Sequence, residues 1–303
     1  MRDRIKHWPG YQQAPRMNSL DLYKMKIRVT LSLVSQTLIM NSETRRKIKA
    51  TTLLKGTCSG KLLLVGNGPS ADNLTLKQAL RFRSLGGKIA VMNGYFKSEI
   101  SKQLIPDYYF IADPEHWQPT RKVNVNLNHD ISSYISRYSS KIIVVQPANQ
   151  PPLVSDGAKI IYTDHRSVQG LLRLSKPNRP WGLCASIALM SIATLKFLGY
   201  NQIFFTGLDS NHLFFYEVDH MNRVVNRSNG QHFYSDPEPN LDSTEFIKDF
   251  KSEIPLRPYR HLGDLAYGQG LFMLDLYMLC RNNCINVGND LTNDSAPRAS
   301  LLE

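Results

Sequence analysis

Cysteine is scarce. The four residues Cys58, Cys184, Cys280 and Cys284 contain no Cys-x-x-Cys, so neither a disulfide framework nor a thiolate zinc site is legible. Cys280 and Cys284 fall four apart on a predicted helix, a spacing that reads as packed thiols, and the set points to a reduced, cytoplasmic protein. No run of about 18 apolar residues occurs, so no segment reads as a bilayer span. The opening Met1–Pro9 is charged and no apolar stretch follows it, so a cleaved secretion signal is not expected. There is no Asp-x-Asp and no His-x-x-x-His, which favours chemistry without a metal cofactor. The single carboxylates Asp107, Asp113 and Asp209 leave open a Mg²⁺ held by Asp113 or Asp209 together with substrate phosphates. Internal repeats and low-complexity segments are absent.

What is present is a 303-residue chain, 42% hydrophobic, long enough for a sizeable core. Its net charge of +12 is placed unevenly. Residues 1–61 hold 13 Lys/Arg against Asp3, Asp21 and Glu43, so +10 lies in the first fifth. The remainder is nearly neutral, which argues against a nucleic-acid groove spread over the fold. A basic arm of this kind suits an anionic membrane surface, an acidic partner or a solubilising tail. Within it Leu20–Ile39 is apolar on one side and basic at its start. That pattern fits either a helix packed on the domain or peripheral attachment to the inner membrane. The expected organisation is a basic helical arm over residues 1–55 and a nucleotide-binding domain over 56–303.

From Lys61 the chain alternates predicted strands and helices. Strands are read at Lys61–Val65, Lys88–Met92, Tyr108–Ile111, Lys141–Val145, Lys159–Tyr162, Gln202–Thr206 and Cys284–Val287. Helices are read at Thr75–Leu85, Ile131–Tyr138, Cys184–Leu198 and Leu262–Arg281, the third apolar almost all round and stopped by Gly199. This rhythm implies an α/β fold, a doubly wound, mostly parallel Rossmann-like sheet with ligands at the strands' carboxyl ends. Residues 210–262 break the rhythm with aromatics and histidines, and such an insertion reads as a lid.

The first strand runs straight into Gly66-Asn67-Gly68-Pro69-Ser70. The glycines would permit close approach and unusual φ angles, while Asn67 and Ser70 offer polar groups to a ligand. Polar residues tip later strands as well: Asn93 after the second, Asp113 after the third, and Gly207-Leu-Asp209 after the strand Gln202–Thr206. Any one of these is an ordinary turn residue. In a parallel sheet all of them converge on one edge.

Gly66-Asn-Gly-Pro-Ser70, Asn93-Gly-Tyr-Phe96 and Asp113-Pro114 resemble the nucleotide-binding half of bacterial sialyltransferases, a GT-A variant with a Rossmann-like sheet. They are similar, too, to MptE-like proteins of surface-polysaccharide gene clusters. Leu198-Gly-Tyr-x-x-Ile-Phe-Phe-Thr-Gly-Leu-Asp209 and Gln231-His-Phe-Tyr234 fit the same set, and the likeness spans roughly Lys61 to Asn289. The resemblance implies a glycosyltransferase acting on a CMP-activated, sialic-acid-like donor and a glycan or glycolipid acceptor. It places Asn67, Gly68 and Ser70 on ribose and phosphate, Asn93 near the donor, and Ser186 where a hydroxyl and a helix N-terminus meet phosphate or sugar carboxylate. Gly66, Pro69, Asp113, Gly207 and Asp209 complete the binding set. The family pattern has Asn where Asp113 stands, and a carboxylate beside a phosphate is unfavourable unless it faces a hydroxyl or a metal.

The same resemblance implies a histidine general base on the irregular segment. His232 is the better match and His220 the reserve, since a neutral imidazole suits removal of the acceptor's proton. Tyr216 and Tyr234 could then hydrogen-bond the leaving phosphate. An MptE-like diphosphokinase, needing ATP and Mg²⁺, and a non-catalytic nucleotide-binding subunit are the alternatives; homo-oligomers are compatible with each. Gly66-x-Gly68-x-x-Ala71 also satisfies the dinucleotide fingerprint formally. Pro69 and Ser70 intervene, however, and Asn93 stands where that fingerprint expects an acid.

Overall fold

Short aliphatic runs build a seven-stranded, all-parallel sheet in the computed structural model. The structure describes residues 27, 30–31, 34–113, 116–117, 127–154, 157–166, 176–180, 186–209, 216–218, 224–226, 272–274, 276–281 and 283–287. The strands are β1 (Lys61–Val65), β2 (Lys88–Met92), β3 (Tyr108–Phe110), β4 (Ile143–Pro147), β5 (Lys159–Thr163), β6 (Gln202–Thr206) and, after the pair β7 (Tyr216–Val218) and β8 (Val224–Asn226), β9 (Cys284–Asn286). Their order is β5-β4-β3-β2-β1-β6-β9. β7 and β8 form a separate antiparallel pair within the segment read as a lid, with Tyr216 opposite Asn226. The rest of that segment, with His220, His232 and Tyr234, lies outside the described residues.

Both faces of the sheet are buried, as parallel strands require. Leu62 and Leu64 of β1 point to one face, with Phe205, Leu189, Ile192, Leu276 and Cys280. Leu63 and Val65 point to the other, with Phe82, Ile131, Ile135 and Phe204. Helices α2 (Leu76–Ser84) and α3 (Leu127–Arg137) cover the second face. The first is covered by α4 (Ile187–Leu198) and by helical residues 272–274 and 276–280. The architecture is therefore α/β and Rossmann-like, with helices on both sides.

Local chemistry sets the helix limits. Thr75 and Gln78 form a capping box at the start of α2, each side chain serving the other's backbone N–H. α4 ends where Gly199 adopts φ +112°, and its uniform apolarity follows from burial along most of its length. Several boundaries differ from expectation: α4 starts at Ile187, after its N-cap Ser186, instead of at Cys184, and Cys284, read as sharing a helix with Cys280, opens β9 instead. β4 runs from Ile143 to Pro147 instead of from Lys141, because the preceding turn keeps Lys141 and Ile142 bonded to the Tyr138 carbonyl. α3 begins at Leu127, one turn before Ile131, which it sinks fully into the core.

Ahead of the sheet, α1 (Ser42–Thr52) is capped by Asn41, which accepts from the Thr44 N–H at 2.7 Å. It lies along β5, the strand at one edge of the sheet: Thr51 Oγ1 donates to the Tyr162 carbonyl at 2.6 Å, and Lys47 Nζ sits 4.8 Å from the Tyr162 ring.

Candidate functional site

The strand order reverses at β1. From β1 the chain steps outward through β2, β3, β4 and β5, then α4 returns it to β6 on β1's other side. Open α/β sheets bind ligands outside the carboxyl ends of the strands at such a switch point. Here that position belongs to Gly66–Ser70 after β1 and Gly207–Asp209 after β6.

These two motifs hold each other. Gly66 N–H donates to the Thr206 carbonyl and Gly68 N–H to the Gly207 carbonyl, both at 2.8 Å. Ser70 N–H donates to Asp209 Oδ2 at 2.9 Å, Thr206 Oγ1 donates to the Ser70 carbonyl at 2.9 Å, and Gly207 N–H donates to Ser70 Oγ at 2.8 Å. Ser70 and Asp209 are buried. The arrangement corrects the expectation of a phosphate cradle. The N–H groups of Gly68 and Ser70 that a phosphate would need point into the protein, and Asp209 caps the 3₁₀ turn Pro69–Asn73.

The need for glycine is real, but its cause differs from expectation. Neither Gly66 nor Gly68 has positive φ. A Cβ on Gly66 would overlap the Gly207 carbonyl, and one on Gly68 would overlap the Asp209 carboxylate. The close approach that the structure shows is by β6's end. The unusual angles lie elsewhere, at Gly207 (φ +72°) and Asn93 (φ +40°). Ala71, the third position of the formal dinucleotide fingerprint, lies in the 3₁₀ turn, with α2 starting only at Leu76.

Two acceptors remain. The side-chain oxygens of Asn67 and Asn93 are both buried without a hydrogen-bond partner. They follow β1 and β2, which are neighbours in the sheet. Asn178 Oδ1 and Thr194 Oγ1 are unpaired as well, but Asn67 and Asn93 sit at adjacent strand ends, where a hydrogen-bond donor would satisfy both. Asn93 is also held in the left-handed region, which costs a side-chain-bearing residue on the order of 1 kcal/mol. Its carbonyl accepts from Tyr109 Oη at 2.6 Å, and the same hydroxyl accepts from Phe96 N–H at 3.1 Å, which fixes the turn.

Further along the edge, Asp113 is exposed after β3, and its carbonyl accepts from His116 N–H at 3.1 Å. His116 is buried, its ring edge-on to Trp117, and its carbonyl accepts from the Asn128 amide. After β5 come Asp164, His165 and Arg166. Arg166 clasps buried Asp164 through Nε at 2.8 Å and Nη2 at 2.6 Å. Desolvation holds the half-buried His165 imidazole below its ordinary value, against the opposing pull of the Asp164 and Asp113 charges. Sequence reasoning missed His116 and His165, although both follow strand ends by the rule that singled out Asn93. Ser186 stands at the N-cap of α4, half-buried, and its side chain makes no capping hydrogen bond.

Asn67, Asn93, Asp113, Ser70, Gly207 and Asp209 thus share one sheet edge, with Ser70, Gly207 and Asp209 engaged in joining β1 to β6. Among the described residues no group of three or more His, Cys, Asp or Glu is placed to hold a metal ion. The chain matches no family model, no curated protein and no solved structure with which it was compared.

Proposed function

We propose that this chain is a glycosyltransferase of the sialyltransferase-like kind, binding a nucleotide-activated sugar along the carboxyl edge of its sheet. The observation carrying the reading is the pair of buried, unpartnered amide oxygens, Asn67 Oδ1 and Asn93 Oδ1, beside the switch point. Carbonyl oxygens accept hydrogen bonds, so this pair suits hydroxyl groups of a ribose or sugar rather than phosphate. Asp113, exposed two strands away from β1, suits a hydroxyl for the same reason. The phosphate then falls to other groups, with the α4 N-terminus and Ser186 the described candidates.

In the transfer the acceptor hydroxyl attacks the anomeric carbon, the bond from that carbon to the nucleotide phosphate breaks, and the nucleotide leaves with the electron pair. The hydroxyl proton passes to an imidazole. His232, with His220 in reserve, carries that role by resemblance; His165, kept neutral by burial, is the described alternative.

A thermal-shift screen against CMP, UDP, GDP, ATP and NAD tests the binding reading. A ligand at 100 times its Kd adds about 2.7 kcal/mol of stability. The expected result is stabilisation by CMP or its sugar conjugates, followed by CMP release from a nonulosonate donor in the presence of EDTA. Stabilisation by ATP alone, with Mg²⁺-dependent pyrophosphoryl transfer, would replace the reading by a diphosphokinase. No stabilisation by any nucleotide would leave a non-catalytic subunit.

A further inference from the structure

The helix ahead of α1 presents its apolar stripe to solvent. Residues 27, 30–31 and 34–39 are helical. Ile27, Leu31, Val34 and Leu38 recur at i, i+4, i+7 and i+11, which places them within an arc of about 60°. Packing of this helix on the domain would bury that arc. Instead the four side chains are 43%, 63%, 50% and 73% exposed. Gln36, on the opposite side of the helix, is half-buried. The helix is held in this orientation: Arg166 Nη1 donates to Thr37 Oγ1, and Arg45 Nη2 donates to the Thr37 carbonyl, each at 2.7 Å. Ile39 and Leu53 add two more aliphatic side chains, 83% and 80% exposed.

Charge decides what covers the stripe. Between Asp21 and Glu43 the sequence holds Lys24, Lys26 and Arg28 and no carboxylate. A second copy packed parallel would bring cation against cation, and one packed antiparallel would set the cations against a half that offers no carboxylate between Asp21 and Glu43. An anionic bilayer surface supplies both what the stripe and what the cations require.

We infer that this helix is an interfacial anchor, lying in the headgroup region of an anionic membrane with Ile27, Leu31, Val34 and Leu38 inserted. Its tether, Arg166, follows β5 at the carboxyl edge of the sheet, so docking brings the edge bearing Asn67 and Asn93 toward lipid-borne acceptors. The anchoring itself does not depend on the proposed chemistry.

The test is flotation of the full chain with phosphatidylcholine vesicles and with mixed phosphatidylcholine–phosphatidylglycerol vesicles. Each surface cation is worth about fivefold in partitioning, so three give about a hundredfold preference for the mixed vesicles at low salt. Leu31→Gln/Leu38→Gln should lose binding by at least about tenfold. Lys24→Gln/Lys26→Gln/Arg28→Gln should lose the preference, which keeps the inference testable if the first variant unfolds. Neither variant should change nucleotide-induced stabilisation, so failure here is distinguishable from failure of the transferase reading. Equal binding to both vesicle types, binding to neither, or a concentration-dependent dimer dissolved by Leu31→Gln/Leu38→Gln would overturn it.

Discussion

Replacing Asp209 by Ala separates a clamp from a ligand contact. Its carboxylate accepts the Ser70 N–H at 2.9 Å where both residues are buried. A hydrogen bond to a charged group contributes about 1.5–3 kcal/mol, and its removal strands the Ser70 donor. For domains somewhat smaller than this chain, each kcal/mol moves Tm by about 2–4 °C, so Asp209→Ala should lower Tm by roughly 4–10 °C. Asp209→Asn keeps an acceptor oxygen and should lose less than half as much. Because a Cβ on Gly68 already overlaps this carboxylate, Gly68→Ala and Asp209→Ala should not be additive. The double variant should cost clearly less than the two single losses together. Calorimetry on the parent and these four variants, with and without CMP, is the assay. If Asp209→Ala leaves Tm within a degree of the parent and abolishes nucleotide stabilisation, Asp209 faces the ligand and the clamp is wrong.

Gly66→Ala drives a Cβ into the Gly207 carbonyl, which as backbone cannot swing aside, so denaturant unfolding should show a loss of about 1–3 kcal/mol. Asn67→Leu removes an unpaired buried acceptor, so urea titration should find the ligand-free protein as stable or more stable, while nucleotide stabilisation is lost. Asn93→Gly relieves a φ of +40° and should gain about 0.5–1 kcal/mol in the same titration, again at the expense of binding. The depressed His165 value makes stability fullest above about pH 6.5, since below it the unfolded chain takes up a proton that the folded imidazole resists. Stability should fall as pH drops through the lower folded value, and His165→Gln should flatten that stretch of the profile.

The frame was legible because it rests on local signals. Lys61–Val65, Lys88–Met92 and Gln202–Thr206 are strands with the limits that aliphatic runs and flanking turn residues imply. The capping chemistry at Thr75 marks where α2 begins. The strand-end rule found Asn67 and Asn93 for the same reason. What the rule could not supply is partnership across distance. Ser70 and Asp209 are separated by 139 positions, and no periodicity announces that one caps the other. A Gly-x-Gly turn looks alike whether a phosphate or a neighbouring strand comes close. The amphipathic pattern of residues 20–39 likewise pointed to a helix, which is described at residues 27, 30–31 and 34–39, but not to the direction it faces, because orientation is decided by contacts such as Arg166 with Thr37.

The β1–β6 clasp has a consequence for how this protein can change. Asp209 is the last residue of the sheet edge before the long excursion beginning at residue 210, and β9, to which the chain returns, is β6's neighbour. Departure and re-entry are thus anchored side by side, the first by hydrogen bonds that reach back to Ser70. An excursion moored in this way can be lengthened, shortened or exchanged without loosening the scaffold beneath it, so its sequence is free to vary while the sheet edge at Gly66–Ser70 and Gly207–Asp209 stays constant.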